Sequence, residues 1–538
     1  MSEGQGPPGG DAVDVSSAAA ARATGTPGSG AWVLAIDLGS SGLKVGAVGI
    51  DGTILAAAHR DLVTDFLPGG GVEQDTAQWW DGVRTGVREL LEHVDPAAVT
   101  AVGITGQYAS TIPVDADGAA VGPCLMWADD RGGPYARKEY GGLVAGYKPQ
   151  AVLPWLRYTG GAPSSGGADP TGHALFLKHD RPQTYAATTT LLEPVDYLGL
   201  RLTGRAAGTP ASLVASWLTD NRQGRPLRYV PELVRLAGRD PAKLPELLPS
   251  GSLLGSITAV AAAELGLPAG VPVVTGVPDL HAAYLASGAT ADYAGHFSIS
   301  TTAWVSCAVP FKKTDILHQI ASVPGVRPGQ YLVINNHETA GVCLQWLRDG
   351  VLAGMDDTSY DDLVTLAAKA EPGSGAVIFT PWLKGERSPV DDRRLRAAFL
   401  NVSLDTDRAD LVRAVLEGVA YNMRWLVEAT DKFVGRRLDP LRVLGGGARS
   451  DLWCQIHADV LGRTVDRVAD PAVAQLRGAA MYSLVSLGRM SLAEVPALVP
   501  AAERFTPDPA AVATYEPLYQ AFTQVYGNLK RWYHKLNR

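Results

Sequence analysis

The stretch from Trp32 to Thr105 constrains the fold more than any other part of the chain. An apolar run, Trp32 to Ile36, ends at Asp37-Leu38-Gly39-Ser40-Ser41-Gly42-Leu43-Lys44, and two further strand patterns follow, Leu43 to Ile50 and Thr53 to Ala58. Asp51-Gly52 between them is a hairpin turn pair. A helical pattern from Thr76 to Leu91 and an apolar strand from Val99 to Thr105 come next. Three strands, a helix and a strand open an α/β domain. A second set of strands begins near Tyr293, with helices alternating with strands through Met481. We place the boundary near Ser287. The halves repeat at the level of fold, without a convincing repeat in the residues themselves. Asp75 or Thr76 caps the first helix, and the Trp79-Trp80 pair on it reads as packing.

Composition narrows the class. A chain of 538 residues, 46% hydrophobic, can bury two cores. A net charge of -8 without a basic run argues against a nucleic-acid surface. Cys124, Cys307, Cys343 and Cys454 are scattered without CxxC spacing. They read as reduced thiols of a cytoplasmic protein, not as zinc ligands. The most apolar stretch, Ile257 to Leu280, is broken by Glu264, Pro268, Pro272 and Pro278, so it reads as helix, turn and strand, not as a membrane span. Residues Met1 to Gly30 are rich in Gly, Pro, Ala and Ser and lack a basic start and an apolar core, so a disordered tail is expected instead of a secretion signal.

Four segments carry chemistry. In Asp37 to Lys44, two glycines let backbone N–H groups approach an anion. Ser40 and Ser41 add hydroxyls, Lys44 adds charge, and Asp37 at the strand end could hold Mg²⁺, which favours oxygen ligands. An ordinary Gly/Ser turn is the competing reading. Gly445-Gly446-Gly447-Ala448-Arg449-Ser450 stands between a short strand, Arg442 to Leu444, and a helix, Ser450 to Leu461. Glycines at a helix start admit a flat ligand or a phosphate, and elements this close on both sides argue against a linker. Trp382 to Pro389, with the helix Asp407 to Thr430, reads mostly as a structural loop and a packing helix, apolar at Leu411, Val415, Val419 and Leu426. Finally, Asp279 in Thr275-Gly276-Val277-Pro278-Asp279-Leu280-His281 ends an apolar strand, which can hold a carboxylate at the mouth of a cleft. As a plain helix N-cap it would also make sense, and the two roles are compatible.

In this order, over about Val33 to Tyr526, these segments resemble the FGGY family of carbohydrate kinases, most closely its xylulokinase-like branch. Leu191-Leu192-Glu193-Pro194-Val195-Asp196-Tyr197-Leu198 with Leu202-Thr203-Gly204 is similar to that branch's segment before its substrate-domain insertion. Gly385-Glu386-Arg387-Ser388-Pro389 and Leu416-Glu417-Gly418-Val419-Ala420-Tyr421 are similar to its second-half signatures. The resemblance implies an α/β fold of two actin-like (ribonuclease H-like) ATPase domains flanking a nucleotide cleft. Residues 31–287 would form the sugar-binding side and 288–530 the nucleotide-binding side.

It also implies ATP-dependent phosphorylation of a hydroxyl of a sugar or polyol, with a ketopentose such as D-xylulose as first candidate. Asp279 would be the general base and Asp37 would place Mg²⁺ on the phosphates. Gly39, Ser40, Ser41 and Lys44, with Ser300, Thr301 and Thr302 of a second loop, would hold the β- and γ-phosphates. Gly445, Gly446, Gly447, Ala448 and Ser450 would hold the adenosine end. Gln107, Tyr108, Asp129, Arg131 and Asp279 would meet the sugar. Trp127 could stack on it or serve the core, and His173 could face the pocket or the surface. A homodimer is a further expectation. The chain departs from the family in three places. Ser300 stands where the family has Gly, and strain follows if that position needs φ > 0. Tyr108-Ala109 replaces Met-His, and Leu280 replaces a polar amide. Two polar contacts to a ketopentose are thereby missing, which keeps a second reading open: a weakened homologue acting as a sugar- or nucleotide-binding regulator. Tyr108, Trp127, Asp129, Arg131 and His281 could supply replacements.

Overall fold

The computed structural model describes residues 30–144, 146–352 and 359–537. Apart from Gly30, the expected N-terminal tail lies outside the described residues. The chain divides into two compact units. Unit 1 holds the residues up to Ala286 with Val323–Gln330 and Gln475–Leu498; unit 2 holds Ser287–Ser322, Tyr331–Ala474 and the residues from Val499 onward.

Unit 1 is built on β1 (Trp32–Leu38), β2 (Gly42–Gly49), β3 (Ile54–Asp61), α1 (Thr76–Leu90) and β4 (Val99–Gly106). Later come α2 (Pro170–Asp180), α3 (Pro194–Thr203), β5 (Leu253–Ser256), β6 (Pro272–Val274), β7 (Val277–Pro278) and α4 (Asp279–Ala286). The sheet order is β5-β6-β4-β1-β2-β3, and β7 also pairs with β4. β1 runs antiparallel to β2 and parallel to β4, and β6 and β7 are parallel to β4. β1 is buried along its whole length, as a strand covered on both faces must be, which explains its unbroken apolar run. The Asp51-Gly52 turn forms, with Gly52 at φ 84° and Asp51 Oδ1 accepting from Thr53 N at 2.9 Å. Asp75 is the cap of α1, accepting from Ala77 N. Trp79 and Trp80 are both buried in the unit 1 core, so the pair packs as expected.

Unit 2 holds β8 (Gly295–Ile299), β9 (Ala303–Val309), β10 (Thr314–Asp315), β11 (Ile320–Pro324), β12 (Tyr331–Ile334), α5 (Arg408–Val434), β13 (Leu441–Leu444) and α6 (Asp451–Leu461). It closes with β14 (Val465–Val468), β15 (Ala501–Phe505) and α8 (Pro509–Leu536), and the chain between β14 and β15 forms α7 (Ala474–Ser486). The sheet order is β10-β11-β12-β9-β8-β13-β14-β15. Its middle, β12-β9-β8-β13-β14, matches β3-β2-β1-β4-β6 of unit 1: an antiparallel trio, then parallel strands. α5 starts with a capping box in which Asp407 and Asp410 satisfy each other's backbone N–H groups, and it ends at Gly435 in the left-handed region. Leu416, Val419, Met423 and Leu426 on it are buried in the unit 2 core.

All of α7 beyond Ala474 belongs to unit 1. Ser483 Oγ donates to Val102 O at 3.3 Å, and Arg477 Nε to Gly52 O at 2.8 Å. A Cβ on Gly103 would stand 2.3 Å from Ala479 O, and one on Gly478 would stand 2.0 Å from Ala282 O. The bare backbones are what let the helix lie this close. The four cysteines are free and buried. Among the described residues, no helix is long and apolar enough to cross a membrane.

Candidate active site

In unit 1 the strand register assembles the site. Asp37 is level with Thr105 across β1 and β4, and Thr105 with Val277 of β7; Leu38, Gly106 and Pro278 form the next row. The three strands are parallel, so they end together, and the residues just past that row are Gly39, Gln107 and Asp279. Crevices at the carboxyl ends of parallel strands are where open α/β sheets bind ligands. Gly106 is bare for a reason of space: a Cβ there would stand 2.4 Å from Leu38 O. Instead, Gln107 N donates to Leu38 O at 2.7 Å.

Two carboxylates share this edge. Asp37 is only 5% exposed and faces Lys44 Nζ at 3.4 Å, its cross-strand partner. Asp279 is the first residue of α4 and keeps part of its surface open. Its Oδ1 accepts from Leu280 N at 2.7 Å. Burial, helped by the charge of Asp37, pushes the Asp279 carboxyl up to about 7, against the pull of the Leu280 N–H. A carboxyl near 7 can exchange a proton at physiological pH, the property a general base needs. The Asp37 carboxylate also suits Mg²⁺, which takes oxygen ligands from one or two carboxylates and completes its shell with water and phosphate.

The amide of Gln107 ends a hydrogen-bonded chain. Trp127 Nε1 donates to Ser40 Oγ at 3.0 Å, and Ser40 Oγ donates to Gln107 Oε1 at 3.2 Å. Gln107 is 6% exposed, yet its Nε2 has no partner among the described residues. A buried donor left open beside a base is a contact waiting for a ligand oxygen. Gln74 holds the same turn, donating through Nε2 to Ser40 O and to Thr64 Oγ1, both at 2.7 Å, while its Oε1 accepts from Trp79 Nε1. Ser41 is exposed. Tyr108 and Ala109 are partly exposed, and Ala109 sits at φ 63°.

Asp129 and Arg131 form a network of their own. Asp129 is fully buried and accepts from Val72 N at 3.0 Å and from Arg131 Nη2 at 2.5 Å. Arg131 also pairs with Glu73, which Arg181 joins at 2.7 Å, and both guanidiniums lie over the Phe176 ring, Arg131 at 4.2 Å. Of the pair, Arg131 alone has any exposed side chain. Glu73, Gln74, Phe176 and Arg181 carried no signal in the sequence, apart from Glu73 and Gln74 standing just before the Asp75 cap. His173 is buried, its Nδ1 against Thr111 Oγ1 and its Nε2 against Asp129 O, both at 3.1 Å. Burial pushes it down to about 4, so its ring is neutral and supports the loop; it is not on the surface. His281 is likewise buried, with Nε2 at 2.8 Å from Pro324 O.

In unit 2 two turns lie side by side. Ser298 is level with Leu444 on the parallel pair β8 and β13. The β8–β9 turn presents Ser300 and Thr301 exposed and Thr302 partly so, with Ser300 N donating to Thr302 O at 2.9 Å. Ser300 is not among the described residues with positive φ. The expected strain at this position does not arise. Its hydroxyl lies 3.1 Å from Ser298 Oγ. Gly445 has φ 97°, and a Cβ there would meet Ile299 O at 2.5 Å. Gly446 has open space above its Cα, while Gly447 is closed in by Ile299 and Trp453. Ala448 is buried. Ser450 caps α6, its Oγ accepting from Trp453 N at 3.1 Å, so the helix starts one residue later than the sequence pattern implies.

Comparison with known proteins supplies the context. Residues 32–286 match the model of the FGGY family of carbohydrate kinases, N-terminal domain, and residues 306–487 match that of its C-terminal domain. A xylulose kinase of Staphylococcus epidermidis is 25% identical over 512 residues, 93% of this chain and 97% of that protein. An L-xylulose/3-keto-L-gulonate kinase of Escherichia coli is 26% identical over 516 residues, 94% of this chain and 98% of that protein. Among solved structures, xylulose kinase from Rhodospirillum rubrum superposes with a TM-score of 0.79 at 27% identity, covering 94% of this chain and all of that one.

Proposed function

The chain belongs to the FGGY family of carbohydrate kinases, a two-part α/β enzyme that phosphorylates a sugar or polyol from ATP, and from that premise we propose how its residues divide the work. The observation that carries the reading is Asp279, set in register with Asp37 and Gln107 and raised to about 7. Asp279 takes the proton of the acceptor hydroxyl as its oxygen bonds to the γ-phosphorus and the bond to the departing ADP breaks. Phosphoryl transfer asks for little more than this base, positioning and charge neutralisation. Gln107 donates its free amide N–H to a sugar oxygen. We assign Tyr108 and Arg131 to the sugar as well, with Asp129 acting through Arg131, which it orients. Asp37 would hold Mg²⁺, which neutralises phosphate charge when bound. Gly39, Ser40, Ser41 and Lys44 serve the phosphates from unit 1. In unit 2, Ser300, Thr301 and Thr302 do the same, and Gly445 to Ser450 receive the adenosine end. In these terms residues 31–287 are the sugar side and 288–530 the nucleotide side.

A ketopentose such as D-xylulose is the first substrate to test. Xylulose kinases are relatives over nearly the whole chain, while Ala109 and Leu280 leave the pocket less polar than a ketopentose site requires. No observation favours the regulator reading. We carry over a cytoplasmic setting and a homodimer, the latter to be checked by light scattering. The functional test is ADP release with ATP and Mg²⁺ across ketoses, aldoses, polyols and sugar acids, with Asp279→Asn as control. Turnover on one compound that vanishes in the variant is the expected result. Turnover that survives in Asp279→Asn would remove the assigned base.

A further inference from the structure

The mechanism leaves unused a buried carboxyl bonded to the sugar-side loop. Glu193 immediately precedes α3 without capping it through its side chain. Its Oε2 accepts from Ser110 N at 3.1 Å, across 83 residues of chain, and the neighbouring Ala109 N–H also favours the ionised form of that carboxyl. These amides follow directly on Gln107 and Tyr108. Ala109 between them has φ 63°, a conformation that a residue with a Cβ keeps only when its surroundings enforce it. Two successive N–H groups converging on one acceptor supply that enforcement.

The same carboxyl borders a small cavity of about 10 Å³, lined also by Ser110, Thr111, Ser216, Tyr229 and Arg239. That is room for about one water. Glu193 Oε1 and Ser110 Oγ are both buried and have no partner among the described residues. Arg239 is buried too, its Nη1 donating to Pro170 O at 3.1 Å. A water in the cavity would thus find three polar neighbours, enough to be held. Burial, with Asp196 next in effect, pushes the Glu193 carboxyl well above its usual range.

We propose that Glu193 is a positioning residue for sugar binding, holding the left-handed turn at Ala109 together with one buried water and thereby aiming Gln107 and Tyr108. The inference rests on the sugar-side reading of those two residues. It is tested by measuring KM for ATP and for the sugar turned over fastest in the panel, in Glu193→Gln, Glu193→Asp and Glu193→Ala. Amide hydrogen exchange is followed at the peptide spanning 107–112. Gln keeps an acceptor for the amides and should stay within about twofold of the parent. Asp and Ala withdraw it. They should raise the sugar KM about tenfold and speed exchange at 107–112 by a similar factor, with kcat and the ATP KM within about twofold. A sugar KM unchanged in both, or an ATP KM rising in step with it, overturns the proposal. Should the Ala variant fail to fold, the Asp variant decides. If the parent enzyme turns over no sugar, the kinase reading itself fails. Exchange at 107–112 then decides alone, and an unchanged rate in Glu193→Asp overturns the positioning role.

Discussion

In unit 1 the order β3-β2-β1-β4-β6 brings side chains to its strand ends: Asp37, Gln107 and, past β7, Asp279. In unit 2 the matching order β12-β9-β8-β13-β14 brings the Ser298–Thr302 turn and the Gly445–Gly447 backbone. Both units place a glycine at the end of the second parallel strand, and for the same reason. A Cβ on Gly106 would meet Leu38 O, and a Cβ on Gly445 would meet Ile299 O. The topology therefore fixes where a ligand can approach, and the residues one step beyond the glycine decide the chemistry. A carboxylate with a raised proton affinity suits a hydroxyl acceptor, whereas bare backbone and hydroxyls suit phosphate and a flat ring.

The comparison breaks most sharply at Asp279. Asp279→Asn should lower kcat by about 10²- to 10⁴-fold while nucleotide affinity, read by calorimetry, is unchanged. The same residue sets a pH dependence. Its base form predominates only above about 7, so kcat/KM for the sugar should fall about tenfold per pH unit below that value. The sign for stability is the opposite. Because the folded state raises this carboxyl from 3.8 to about 7, stability falls as pH rises through that window, and the Asn variant should flatten the fall in a thermal-denaturation series.

Next in size come the paired glycines. Forcing a Cβ into either contact costs about 1–3 kcal/mol, equivalent to about 5- to 150-fold in affinity where the strain falls on the ligand contact. Gly445→Ala should raise the ATP KM and spare the sugar KM; Gly106→Ala should do the reverse. If both variants moved both constants alike, the division of labour between the units would be wrong. Gln107→Ala should cost a few-fold to about tenfold in sugar KM alone, the worth of one hydrogen bond. Smallest is a gain. Ala109 already sits at φ 63°, where His is tolerated better than most residues. Ala109→His, alone or with Leu280→Asn, should raise kcat/KM on D-xylulose by about tenfold through restored polar contacts. No gain in the double variant would mean that the pocket differs for other reasons.

Much of this was legible in the residues. The unbroken apolar run of β1, the Asp51-Gly52 turn, the Asp75 cap and the glycines before α6 each act over a few positions, and local pattern reports them well. The order of those segments also carried the family. What was not legible acts at long range. The left-handed Ala109 depends on Glu193, far along the chain. His173 reads as a free polar residue until Thr111 and Asp129 are brought against it. Asp129 and Arg131 stand together in the sequence, but the partners that occupy them, Glu73 and Arg181, come from two other segments. At Ser300 the residue type suggested strain, yet the turn closes through its N–H to Thr302 O without entering the left-handed region.

One consequence lies in the path of the chain. α7 follows the central strands of unit 1 at a great distance along the chain, yet its residues from Gln475 onward complete unit 1, where Gly103 and Gly478 leave just enough room for them. The N-terminal half emerging from a ribosome therefore carries its central strands without the helix that covers Val102 and Gly103. It must wait, with apolar surface uncovered, until translation has passed Leu498. A gene cut at Ser287 would not yield two independent folds, and fragments meant to reassemble would have to divide elsewhere.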